Sequence, residues 1–160
     1  MTEIKELKQE VENSKVFRNW QSQHKKAYFY MLFSMFDSKP ELEFSYYEPD
    51  SKTVTTFTIN KSVGLKSTEA VEWEEKPKEP KLEQVNVGFD EALKKGLELQ
   101  EKYYTEEGPI KKIVILQFLD ERIIWNITLL TLSFSTLNIK LDASTGSVIS
   151  HSLRKLFDFA

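Results

Sequence analysis

Apolar residues recur at three- and four-residue spacing at the start of the chain, where Ile4, Leu7 and Val11 alternate with Glu and Lys. That spacing predicts an amphipathic helix, which either packs on the protein's own sheet or docks on a partner. Asn13-Ser14 interrupts it, and Ser14 is placed to cap a second short helix through Val16, Phe17 and Trp20. The period then drops to two. Residues 27–36 (AYFYMLFSMF) are apolar on both alternating faces, as a central strand requires. Residues 41–47 place Leu42, Phe44 and Tyr46 on one face and Glu41, Glu43 and Ser45 on the other, which predicts a strand with one wet face. Glu48-Pro49-Asp50-Ser51-Lys52 reads as a turn and residues 53–59 as a β-branched return strand.

Residues 61–86 change character. Gly64, Pro77 and Pro80 sit among Glu and Lys with few apolar residues, so a linker or long surface loop pinned at Trp73 is expected. Beyond it, Phe89, Ala92, Leu93, Gly96, Leu97 and Gln100 line one face of a helix that begins at Gly88 and Asp90. Gly96 on that face predicts close approach of the helix to a sheet. Residues 111–119 and 122–132 read as a hairpin turning at Asp120-Glu121. Residues 136–141, the turn Asp142 to Gly146, and residues 147–153 complete a meander. Leu156, Phe157 and Phe159 are expected to fold back onto the core.

Both halves thus follow an order of helix, strand, strand, turn, strand, and one segment pair lies in register without gaps. Tyr47-Glu48-Pro49-Asp50-Ser51-Lys52-Thr53-Val54 matches Leu141-Asp142-Ala143-Ser144-Thr145-Gly146-Ser147-Val148 in character. The expectation is one α+β domain over residues 1–160, made of two αβββ units with helices packed on antiparallel sheet. A first repeat would span 1–60, a linker 61–86, a second repeat 87–153, and a tail 154–160. General hairpin chemistry is the competing source of the match.

Composition supports a packed domain: 40% hydrophobic residues with 12% aromatic lie in the globular range. The chain has no cysteine, which removes disulfide and thiolate chemistry and fits a reducing compartment. The charged N-terminal stretch lacks the apolar core of a signal peptide, and no apolar run reaches the length of a membrane span, so cytoplasmic residence is the expectation. The formal charge of −3 is spread evenly along the chain. No basic stretch marks a nucleic-acid footprint, and the same evenness speaks against an anionic membrane surface.

Candidate chemistry is sparse. His24 stands beside Lys25 and Lys26, and His151 between Ser150 and Ser152, with no second ligand at metal spacing. Neither Gly-x-Ser-x-Gly nor a glycine-rich phosphate loop occurs, and the pairs Glu74-Glu75 and Glu106-Glu107 fall in polar connections as solvated charge. The sequon Asn126-Ile127-Thr128 lies within a strand. No catalytic residue, cofactor or metal is therefore expected. The aromatics Trp20, Tyr28, Tyr30, Tyr46, Tyr47 and Trp125 are read as sheet core, or as the lining of a groove or interface.

The helix segment Phe89-Asp90-Glu91-Ala92-Leu93, the strand Trp125-Asn126-Ile127-Thr128 and the run Ile139-Lys140-Leu141-Asp142-Ala143-Ser144-Thr145-Gly146-Ser147-Val148 together resemble a PepSY domain. The resemblance covers residues 86–153, and residues 42–59 look like a degenerate copy of its hairpin. Members of that family include peptidase propeptides, often inhibitory, and regulators of cell-wall hydrolases, usually secreted or anchored. This chain departs from them in showing no signal, anchor or attached peptidase. The resemblance implies a non-enzymatic module that binds a protein or peptide, with homodimerisation open. The alternative reading is a small-molecule or lipid carrier with an apolar pocket.

Overall fold

The computed structural model describes residues 3–156. Two helices, α1 (Ile4–Asn13) and α2 (Lys15–Gln21), precede four strands: β1 (Tyr28–Phe36), β2 (Glu43–Glu48), β3 (Thr53–Asn60) and β4 (Ser62–Ala70). A connection with one 3-10 turn (Leu82–Gln84) leads to α3 (Phe89–Tyr103) and four more strands: β5 (Pro109–Leu119), β6 (Arg122–Thr131), β7 (Ser135–Asp142) and β8 (Val148–Lys155). All eight strands form one antiparallel sheet in the order β4-β3-β2-β1-β5-β6-β7-β8. The two meanders join where β1 pairs with β5, from Met31 opposite Gln117 to Phe36 opposite Lys112.

Two αβββ units are therefore not what the chain forms, although the coarser α+β reading stands. Each half carries four strands. The missing strand of the first half is β4, which lies inside the stretch read as a linker and pairs with β3 from Thr53–Ala70 to Asn60–Ser62. Its side chains are mostly exposed because β4 is an edge strand, so it needs no apolar alternation to be stable. The gapless match is also displaced. Tyr47–Val54 spans the β2–β3 hairpin, the second and third strands of its half, whereas Leu141–Val148 spans β7–β8, the third and fourth. Turn chemistry, which recurs at any hairpin, accounts for that similarity.

Local physics explains the elements. The Ser14 hydroxyl donates to the Val11 carbonyl at 2.7 Å and accepts the Phe17 N–H at 3.2 Å, so one side chain closes α1 and opens α2. Asp120 and Glu121 both take positive φ, the backbone of a two-residue hairpin turn that matches strand twist. At the β7–β8 turn the Asp142 carboxylate accepts the N–H groups of Ser144 and Thr145 (2.8 and 3.0 Å), and Gly146 supplies the left-handed residue at φ +80.

The helices cover one face of the sheet. Phe17, Phe44, Tyr46 and Phe57 on the first half, and Phe89, Ala92, Trp125, Ile127 and Ile139 on the second, belong to a single buried cluster that spans both. A Cβ added at Gly96 would lie 3.1 Å from Ile127 Cδ1, which confirms the close approach expected of that glycine. Leu156 does not fold onto the core. It is 49% exposed, and Phe157 and Phe159 lie outside the described residues.

Candidate functional site

Period-two alternation sends every second side chain of the sheet away from the helices. On that open face the central strands present Met31, Phe33 and Met35 of β1 opposite Gln117, Ile115 and Ile113 of β5, in that order. All but Met35 are partly buried, and Met35 is 50% exposed. Polar positions flank this apolar stripe. On one side Ser45 hydrogen-bonds Thr56 at 2.8 Å; on the other, the Asn138 amide donates to Asn126 Oδ1 at 2.7 Å and Thr128 Oγ1 at 3.0 Å. Ser45 and Thr56 are themselves buried and Asn126 and Asn138 half-buried, so the stripe is flanked by polar groups that are satisfied within the sheet.

The connection from β4 to α3 crosses one end of this face. Trp73 stacks on Tyr47 (5.6 Å between centroids, 26°) and meets Tyr30 edge-on at 5.6 Å, so the expected pin exists. Its ring is nevertheless 43% exposed. Tyr28 donates its hydroxyl to the Pro77 carbonyl at 2.5 Å. Lys78 pairs with Glu121 at 3.0 Å and sits 5.2 Å over the Phe118 ring. Between the crossing segment and the sheet lies a groove of about 250 Å³, lined by Tyr30, Met31, Trp73, Pro77, Gln117 and Phe118 among others. Burial pushes the Tyr30 hydroxyl up to about 12, against a smaller opposing effect of its hydrogen bond with Ser45.

The six aromatics singled out in the sequence divide between the faces. Trp20 and Tyr46 join Phe17 and Phe57 under α2, with ring centroids 4.9 to 5.9 Å apart. The Tyr46 hydroxyl donates to Glu12 Oε2 at 2.8 Å, and burial followed by the Glu12 charge raises its pKa well above the phenol range. Trp125 is fully buried and donates its indole N–H to the Val87 carbonyl at 2.8 Å, which ties the start of α3 to β6. Tyr28, Tyr30 and Tyr47 alone reach the open face, where Trp73 joins them. The sequence did not connect them, because the strand register and the crossing that unite these residues are long-range properties.

The remaining candidates are dispersed. His24 stacks on Trp20 at 4.9 Å, and His151 lies at the far edge against Tyr103 and Tyr104, bonded to the Tyr104 hydroxyl at 2.8 Å. Glu74 and Glu75 are exposed in the crossing segment. Glu107 is more than solvated charge: its carboxylate accepts from the hydroxyls of Thr131 (2.7 Å) and Ser133, and these bonds, Ser133's first, hold its pKa below the usual carboxylate range. Asn126 of the sequon has its side chain in the β6–β7 amide network. Between sheet and helices, Leu32, Val114, Leu116, Trp125, Ile127, Leu137 and Ile139 are at full burial. An apolar ligand there would have to displace packed side chains. Among the described residues no helix is long and apolar enough to cross a membrane.

The fold has a counterpart among solved structures. A Clostridium difficile 630 protein described as a "putative lipoprotein" superposes with a TM-score of 0.60 over 87% of this chain and 90% of its own, at 15% sequence identity. At that identity the likeness extends to the fold alone. No protein-family model and no curated protein matches the chain.

Proposed function

We propose that this chain is a non-catalytic module that binds another protein on the open face of its sheet. The observation that carries the reading is the stripe Met31–Phe33–Met35–Ile113–Ile115, which no described helix covers and which hydrogen-bonded polar residues flank on two sides. The Trp73 groove at its end has the size and lining to seat one anchoring side chain of the partner. The PepSY-like residues of the second half support a regulatory role for such binding. Cytoplasmic residence is the expected setting, which cell fractionation tests.

The experiment is co-purification from the source cells with three forms of the chain. A specific partner should be held by the wild type and by Lys94→Glu on α3, and should be lost from Met35→Glu. Retention by Met35→Glu, with the variant folded by circular dichroism, would refute the assignment of the site to this face.

A further inference from the structure

The groove at Trp73 combines aromatic walls with an acidic surround. Trp73 rests one face on Tyr47 and meets Tyr30 edge-on, and its ring is 43% exposed. A stacked partner covers a single face, so that exposure belongs to the other face and the rim of the indole. Phe118 is part of the same lining, and there the Lys78 ammonium already sits 5.2 Å over the ring. The groove thus holds a cation on an aromatic face within the chain itself. Trp73, the stronger cation-binding ring, has none over it among the described residues.

Negative charge gathers around these rings. Glu69 stands opposite Val54, and Val54 opposite Tyr47, so Glu69 shares a face of the sheet with the ring beneath Trp73. Burial raises the Tyr30 hydroxyl first, and the charge of Glu69 adds to it. Glu72, Glu74 and Glu75 are exposed in the crossing segment, and Glu75 lines the groove. None of these four acids makes an ion pair among the described residues. The nearby bases are mostly engaged: Lys26 with Asp50, Lys78 with Glu121, Lys81 with Glu79 and Arg122 with Asp142. Lys25, Lys52 and Lys76 stay outside such pairs, and Glu48 and Asp120 offset two of them. An acidic excess therefore survives the existing pairs.

We infer that the groove takes an arginine side chain of the partner, its guanidinium laid on the exposed face of Trp73 with Glu75 and Gln117 as acceptors. This rests on the open-face reading and names the anchor that such a partner brings. A planar guanidinium stacks on an indole and sheds water more readily than an ammonium, and its forked N–H groups match a carboxylate. An apolar anchor would fill the space and leave the acids unused.

The test is a nuclear magnetic resonance titration of the full chain with acetyl-Gly-Arg-Gly-amide, read at the Trp73 indole N–H. Trp20 and Trp125 lie on the helix side of the sheet and serve as internal controls. The arginine peptide should move the Trp73 resonance alone, and less as salt is raised. Its citrulline analogue, close in shape and uncharged, should bind at least roughly fivefold more weakly. Glu75→Gln, at an exposed side chain, should weaken the arginine peptide about twofold to fivefold without moving the thermal midpoint. The inference is overturned if the arginine peptide leaves the Trp73 resonance in place, or if the citrulline peptide moves it equally well. The titration uses no partner, so the two readings fail separately. An unmoved Trp73 with partner lost from Met35→Glu strikes the anchor and keeps the open face, whereas retention by Met35→Glu strikes the face.

Discussion

Ser34 lies at full burial on the helix-facing side of β1, opposite Val114, and its hydroxyl has no hydrogen-bond partner among the described residues. An orphaned buried hydroxyl costs stability that its removal returns. Ser34→Ala should therefore leave stability unchanged or raise it by up to about 1 kcal/mol in chemical denaturation. A loss of that size would show that the hydroxyl is satisfied after all. Two carboxylates make the opposite case. Glu107 is depressed first by the Ser133 hydroxyl and then by Thr131; Asp142 is depressed first by the Thr145 backbone N–H, with Ser144 adding to it. Because their folded values lie below the unfolded ones, their contribution is fully present above the unfolded carboxylate range, near pH 4. It is lost as pH falls through the folded values. Glu107→Gln and Asp142→Asn should each flatten the loss of stability on acidification below about pH 4. An unchanged acid limb in both variants would contradict the assignment. The turn around Asp142 was legible because Asp, Thr and Gly at those offsets have local jobs. The role of Glu107 was not, since its partners lie 24 and 26 residues away.

Helices and strands with a buried face announced themselves through spacing, and the Ser14 cap through its position between two amphipathic runs. Ser14→Ala removes the hydroxyl that serves both α1 and α2, and should cost about 1–2 kcal/mol, the upper part of the range for a single cap. Urea titration of the variant measures it. β4 escaped notice because an edge strand is specified by backbone pairing to β3 rather than by its own side chains, which are mostly wet. The crossing segment is polar and pinned at Trp73, as its composition predicts, but nothing local says which residues receive the ring. Trp73→Ala removes the contacts to Tyr30 and Tyr47 while leaving Lys78 on Glu121. It should loosen the crossing more than the sheet. Limited proteolysis between residues 71 and 81 should quicken, with the global unfolding midpoint shifted by only a few degrees. A collapse of the midpoint would instead make the segment part of the core.

At the scale of the molecule, two four-stranded meanders share one sheet through β1 and β5, and the helices of both halves occupy one face. That arrangement leaves the most apolar strands of the chain half uncovered at the centre of the other face. The sequence shows β1 to be apolar on both alternating faces, as a central strand requires. The structure covers it once, which turns the surplus hydrophobicity of Met31, Phe33 and Met35 into a surface property. Which face the helices would choose depends on the pairing of β1 with β5, some 80 residues apart, and no local pattern encodes it. The most direct measurement is photocrosslinking in the source cells from a benzoylphenylalanine placed at Met35, compared with one at Lys94 on α3. A discrete protein adduct from position 35 alone is the predicted result. Adducts of equal yield from both positions, or from position 94 only, would contradict an open face that binds.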